Sequence, residues 1–127
     1  MKDTQLITGK KRWAIAEGYI PNDDQNKDET HISHETICIL NAGSQPADIE
    51  LTLFFKDRDP IGPYKSTVNP FRTSHIRFND LKDPQPVPRG TDFSSVLVSS
   101  VPVIAQHTRL DSRWGNNALL STIAYGE

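Results

Sequence analysis

Hydrophobic residues in this chain recur with a period of two far more often than with the three- and four-residue spacing of a helix face. The plainest stretch is 49–55, where Ile49, Leu51, Leu53 and Phe55 alternate with Glu50, Thr52 and Phe54, the pattern of a half-buried strand. Residues 35–40 form a second run, and Asn41-Ala42-Gly43-Ser44 between the two reads as the loop of a hairpin-like pair. Residues 57–63 read as turn and loop, and 64–68 and 71–78 as two further strands split by Asn69-Pro70. Residues 93–99, 101–110 and 117–125 follow, and 12–19 opens the series. No window of a dozen residues carries a helical apolar face, and nine prolines interrupt the chain. About eight strands at a spacing of roughly 8 to 12 residues predict an all-β fold, an antiparallel β-sandwich.

The connections fit that reading. Residues 79–92 hold Pro84, Pro86, Pro88 and Gly90 together with Leu81 and Val87, an extended crossover rather than a domain linker. Residues 22–30 are an acidic, non-periodic insert of the kind found in surface loops. With 127 residues the chain is expected to form a single sandwich domain over 12–127, preceded by an N-terminal segment, 1–11.

Two strands are apolar on both faces, which changes the picture. In 35–40, Ile37 and Ile39 alternate with Cys38 and Leu40. In 118–125, Leu119, Ile123 and Tyr125 alternate with Leu120 and Ala124. A two-layer sandwich buries one face of each sheet, so the second apolar face asks for a partner subunit, and a homo-oligomer is expected.

Composition and charge narrow the function classes. A net charge of -2 offers no broad positive field for nucleic acid. Contact with DNA through Lys10, Lys11 and Arg12 is disfavoured by that charge and by the lack of a helix-turn-helix pattern. Cys38 is the only cysteine, so no internal disulfide forms and the thiol reads as a small buried hydrophobe. The N-terminus lacks the apolar core of roughly 7–15 residues that a signal peptide carries, and no stretch nears the roughly 20 apolar residues of a membrane span. The protein is therefore expected in the cytoplasm, reaching any membrane through a protein partner rather than by insertion.

Candidate chemistry is sparse. His31 and His34 fall on opposite faces of an extended segment, and His75 and His107 are isolated in sequence, so no metal site is expected. Ser33 beside His34, or Ser112 near Asp111, lacks the Gly-x-Ser-x-Gly elbow of a hydrolase, and no glycine loop is built to cradle phosphate. Glu17 and Glu35 are a conceivable acid–base pair whose separation the sequence does not fix. The chain is read as a non-enzyme without cofactor. What stands out is a polar cluster with aromatic company: Trp13, Glu17 and Tyr19; His34 and Glu35; and the run 106–114, which contains His107, Arg109, Asp111, Arg113 and Trp114. Rings beside carboxylate and guanidinium groups suit a saccharide or polar peptide. The same charges equally suit an ion-pair network that holds a loop or a subunit seam.

A family resemblance rests on seven strings in order: WAIAEGYIP at 13–21, ISHET at 32–36, ILNAG at 39–43, GPY at 62–64, HIRFNDL at 75–81, QHTRLDSR at 106–113 and NALLSTIAY at 117–125. Together they resemble the soluble sensory rhodopsin transducer family from Trp13 to Tyr125. That resemblance implies a cytoplasmic β-sandwich that assembles as a tetramer and relays the signal of a membrane photoreceptor, a rhodopsin, through protein contact. It also implies a fold akin to carbohydrate-binding sandwiches. A signalling adaptor is thus the first functional expectation. A module for a saccharide or other polar small ligand is the second, with Trp13, Glu17, Tyr19, His34, Glu35, His107, Arg109, Asp111 and Arg113 as the residues of the ligand or partner site.

Overall fold

The computed structural model describes residues 8–22, 32–113 and 117–127. The first seven residues, the body of the acidic insert, His31 and Trp114 lie outside the described residues.

The strands are β1 (Lys10–Ile15), β2 (His34–Asn41), β3 (Ala47–Phe54), β4 (Ile61–Val68), β5 (Arg72–Arg77), β6 (Ser94–Asp111), β7 (Ala118–Ile123) and β8 (Tyr125–Gly126). A 3-10 turn, Phe78–Asp80, follows β5. All pairings are antiparallel, and the order β4-β3-β6-β1-β8 forms one sheet. The second sheet pairs β5 with β2, β2 with the far half of β6, and β6 with β7. The core lies between the two, with Trp13, Ile15, Ile49, Leu51, Leu53, Tyr64 and Leu97 from one side meeting Ile37, Ile39, Ile76, Val103 and Ala105 from the other. Each fully buried Leu or Ile contributes on the order of 1.5–3 kcal/mol relative to exposure. An antiparallel sandwich of eight strands among the described residues is what the period-two pattern predicts.

Several boundaries differ from the expectation. β4 begins at Ile61, so Ile61 to Pro63, expected in a loop, lie instead in a strand, and three differences are larger. The two strands expected over 93–99 and 101–110 are one strand, β6, 18 residues long. Its odd-numbered side chains face inward on both sides of residues 99–102, so the polar and proline-bearing break is a bend and not an end. There the register against β1 jumps, Lys10 pairing with Val103 but Arg12 with Val98. Strands that pass between packed sheets bend at such irregularities. The first strand ends at Ile15 rather than Tyr19; beyond its end Gly18 lies against the Phe93 ring, where a Cβ would come within 2.5 Å. Tyr19 keeps only an isolated bridge to Asp92. The last strand divides at Ala124, whose N–H donates to the Ala105 carbonyl at 3.1 Å before the chain crosses to pair Tyr125 with Ala14 and Gly126 with Trp13.

All six residues of β7 are exposed, and among the described residues β7 pairs with β6 alone. Leu119, Leu120 and Ile123, and Tyr125 just beyond, are half or more exposed. The outer face of β2 is likewise open at Leu40, while Cys38 is half-buried there.

Candidate functional site

The site grows from an exception to the hydrophobic pattern. Along β2 the inward positions run Glu35, Ile37, Ile39, so a carboxylate occupies a place where the period of two calls for an apolar side chain. Glu35 is fully buried, and a buried charge persists only when paired and hydrogen-bonded. Register supplies the partners. Arg109 lies directly across from Glu35 on β6, and His107 lies across from Ile37, diagonal to Glu35 on the same face. Arg109 Nε donates to Glu35 Oε2 at 2.6 Å and His107 Nε2 to Oε1 at 2.5 Å. The backbone N–H of Tyr19 adds a third donor at 2.9 Å. The Glu35 N–H donates to Asn79 Oδ1, and Asn79 Nδ2 donates to the Ser33 carbonyl, so the 3-10 turn clamps the start of β2.

Arg109 turns outward as well. Its Nη2 donates to Glu17 Oε2 at 2.9 Å, so one guanidinium joins a buried carboxylate to a mostly exposed one. Burial is the largest influence on Arg109 and pulls its pKa down, but hydrogen bonds and charge from Glu35, then Glu17, outweigh it and the net shift is upward. A neighbouring pair, Asp111 and Arg113, is bidentate at 3.1 and 2.8 Å. The Arg113 guanidinium also lies 5.6 Å from the centre of the Tyr19 ring. The Arg113 hydrogen bond is the main cause holding the Asp111 carboxyl below its ordinary range, against a smaller upward push from burial.

The structure therefore gathers Glu17, Tyr19, Glu35, His107 and Arg109 into one network and places Asp111 and Arg113 beside it. Two of the expected residues stand apart. Trp13 is a core residue whose indole N–H is shared between the carbonyls of Lys10 and Val103, both at 3.0 Å. His34, one residue before Glu35, points to the opposite face and its Nδ1 donates to the Ile32 carbonyl at 2.8 Å.

Open space lies beside the network in two places that share Glu17. A cavity of about 250 Å³ between β1 and β7 is lined by Ala14, Ile15, Ala16, Glu17, His107, Thr122, Ile123, Ala124 and Tyr125. A groove of about 320 Å³ is lined by residues 16–18, 54–56 and 92–94, including Phe54, Phe55 and Phe93. At the Asp111–Arg113 end the hollow is only about 30 Å³, room for about one water. Among the described residues no three His, Cys, Asp or Glu side chains are grouped to hold a metal ion. No helix among them is long and apolar enough to cross a membrane.

Sequence reasoning missed Asn79, Thr122 and Ala124. Asn79 sits in a 3-10 turn without periodicity, and only its place in the string 75–81 marks it. Thr122 and Ala124 carry a signal in hindsight, small residues interrupting an apolar edge strand.

The described residues thus form an all-β sandwich with a buried carboxylate paired to Arg109 and His107, and an apolar strand, β7, that pairs with one neighbour among them. The match to known proteins is specific. The model of the family described as Anabaena sensory rhodopsin transducer matches residues 8–126, and the chain belongs to that family. The solved structure titled "Anabaena sensory rhodopsin transducer" is 56% identical, covering 85% of this chain and 94% of that one with a TM-score of 0.77. The structure titled "Crystal Structure of Thermotoga maritima 1070" is 32% identical, covering 95% and 97% with a TM-score of 0.84. None of the curated proteins matches the chain.

Proposed function

We propose that the protein is a cytoplasmic, non-enzymatic signalling adaptor that binds the cytoplasmic face of a membrane photoreceptor and does so as a homo-oligomer, a tetramer by family resemblance. The observation that carries this reading is family membership across residues 8–126, together with 56% identity to a protein named as a rhodopsin transducer. The open edge and two exposed apolar faces of β7 support it, since such a strand is a template for another chain. The test is capture by membranes that contain a sensory rhodopsin, against membranes that contain an unrelated retinal protein. Enrichment on the first alone is expected, and equal recovery from both ends the proposal.

A second reading, a module for a small polar ligand, is favoured by one observation, the cavity that reaches His107 and Glu17 between β1 and β7. In this reading Glu17, Tyr19, Glu35, His107 and Arg109 form the site and its support, with Asp111 and Arg113 bracing Tyr19.

A further inference from the structure

Phe71 breaks two rules at once. Its φ is 56°, a left-handed conformation that a bulky side chain rarely adopts. Its ring is 64% exposed and has no place in the core. With Pro70 it makes the turn between β4 and β5, and a turn position that needs positive φ after a proline is ordinarily filled by Gly or Asn. The turn is tied down by the fully buried Asn41, whose Nδ2 donates to the carbonyls of Gln45, Val68 and Asn69 and whose Oδ1 accepts from the Gly43 N–H. Phe71 donates its own N–H to the Gly43 carbonyl at 3.2 Å. Asn41 and the backbone thus fix the corner, and the ring adds neither core packing nor local ease. A strained side chain held in place and left in solvent is an outlier whose use lies outside the chain.

The surroundings say what kind of surface it meets. The exposed Arg72 follows directly, its Nη1 donating to the Phe71 carbonyl. Register places two more exposed cations at the same end of the sandwich. Arg72 pairs with Asn41, Leu40 with Ile104, and Lys10 with Val103, so Arg72 and Lys10 end one row across β5, β2, β6 and β1, with Lys11 next to Lys10. Three strand spacings put their backbones roughly 14 Å apart. Arg12 is drawn into a pair with Glu127, and Asp48, which accepts from Thr67, is the acidic side chain near this end of β3. β5 is the edge of its sheet opposite β7, so the corner is clear of the strand that an assembly would cover.

We infer that the β4–β5 corner is a membrane-contact point: the Phe71 ring enters the headgroup boundary of an anionic lipid surface while Arg72, Lys10 and Lys11 meet its phosphates. This rests on the adaptor reading above, which brings the protein to a membrane, and gives that reading an orientation. One apolar ring among polar exposed neighbours, with cations beside it, is the chemistry of interfacial anchoring. The chain as a whole is negative, at -2, so attraction to anionic lipid is confined to this end and turns it toward the bilayer. A single ring and a few cations give weak, reversible contact, which suits a protein that must leave its receptor.

The experiment sediments the intact protein with receptor-free vesicles of phosphatidylcholine, alone or mixed with phosphatidylserine. Partitioning onto the mixed vesicles alone is expected, weakening as salt is raised. Phe71→Asn suits the turn better, so its urea midpoint should equal or exceed that of the parent while partitioning falls roughly 10-fold. Lys10→Gln with Lys11→Gln lowers partitioning roughly 30-fold. Phe71→Trp adds fluorescence that shifts to the blue with mixed vesicles, beyond any shift of the parent. Absence of the parent from mixed vesicles, or partitioning unchanged in Phe71→Asn, overturns the inference. A lower urea midpoint for Phe71→Asn overturns it by returning the ring to the fold, and a lower mass by light scattering does so by giving the ring to a second copy. Capture by rhodopsin membranes that depends on Phe71, without vesicle binding, assigns the ring to the receptor: the lipid contact falls and the adaptor reading stands. Vesicle binding that meets these expectations without capture by rhodopsin membranes has the opposite outcome, upholding the lipid contact and ending the adaptor reading.

Discussion

Glu35 receives three donors in a space closed to water, and Glu17 shares one of the same donors at the surface. The two carboxylates therefore carry very different weights in stability. Glu35→Ala leaves Arg109 and His107 facing a buried void, and breaking a buried pair in this way costs about 3–5 kcal/mol. Glu17→Ala removes only a partly screened contact and costs about 0–1 kcal/mol. Urea unfolding of the two variants checks the contrast, and equal losses would contradict the network as drawn. Asp111 adds a pH dependence. Its folded pKa is depressed, so the stabilisation it brings is present above the ordinary 3.8 and is lost as pH falls through the lower folded value. Both members of the pair are about 30% exposed, so the effect stays below about 1 kcal/mol. The gap in stability between the protein and Asp111→Asn should narrow as pH drops below about 4, and a gap constant with pH would assign the stabilisation elsewhere.

At the scale of elements, β8 is short but tightly seated. A Cβ on Gly126 would lie 2.8 Å from the Trp13 ring, so Gly126→Val forces β8 from β1. The expected cost is about 1–3 kcal/mol, with a red shift of Trp13 fluorescence as water reaches the indole; an unshifted spectrum would show that the ring gives way instead. Strand positions were legible in the sequence wherever one face is buried, as at Ile49, Leu51 and Leu53, because the period of two is a direct record of burial. The continuity of β6 was not legible, since Ser99-Ser100-Val101-Pro102 carries the chemistry of a break while tertiary pairing carries the strand through it. The site was half legible. Arg109 and His107 share parity, which the sequence displays, but that they converge on Glu35 depends on the β2–β6 register, which no local pattern records. Trp13 was expected at the site because rings accompany ligand sites; its indole instead serves the core, where aromatic residues are at least as useful.

The whole molecule presents β7 as an apolar strand with nothing laid against its free edge among the described residues. If neighbouring subunits cover it, the protein should elute with the mass of several chains in size exclusion coupled to light scattering. Leu120→Asp should reduce that mass or cause aggregation, because a carboxylate in an apolar seam costs several kcal/mol. A single-chain mass for the unmodified protein would refute the assembly. The bent β6 strand has a further consequence, for how the molecule comes apart. Because β6 is paired in both sheets, the slowest amides of Leu97 and Val98 and those of Ala105 and Gln106 should exchange with deuterium at a common free energy, that of global opening. Distinct plateaus for the two sets would mean that the bend at residues 99–102 divides the protein into separate folding units; a shared plateau means that the sandwich melts as one body.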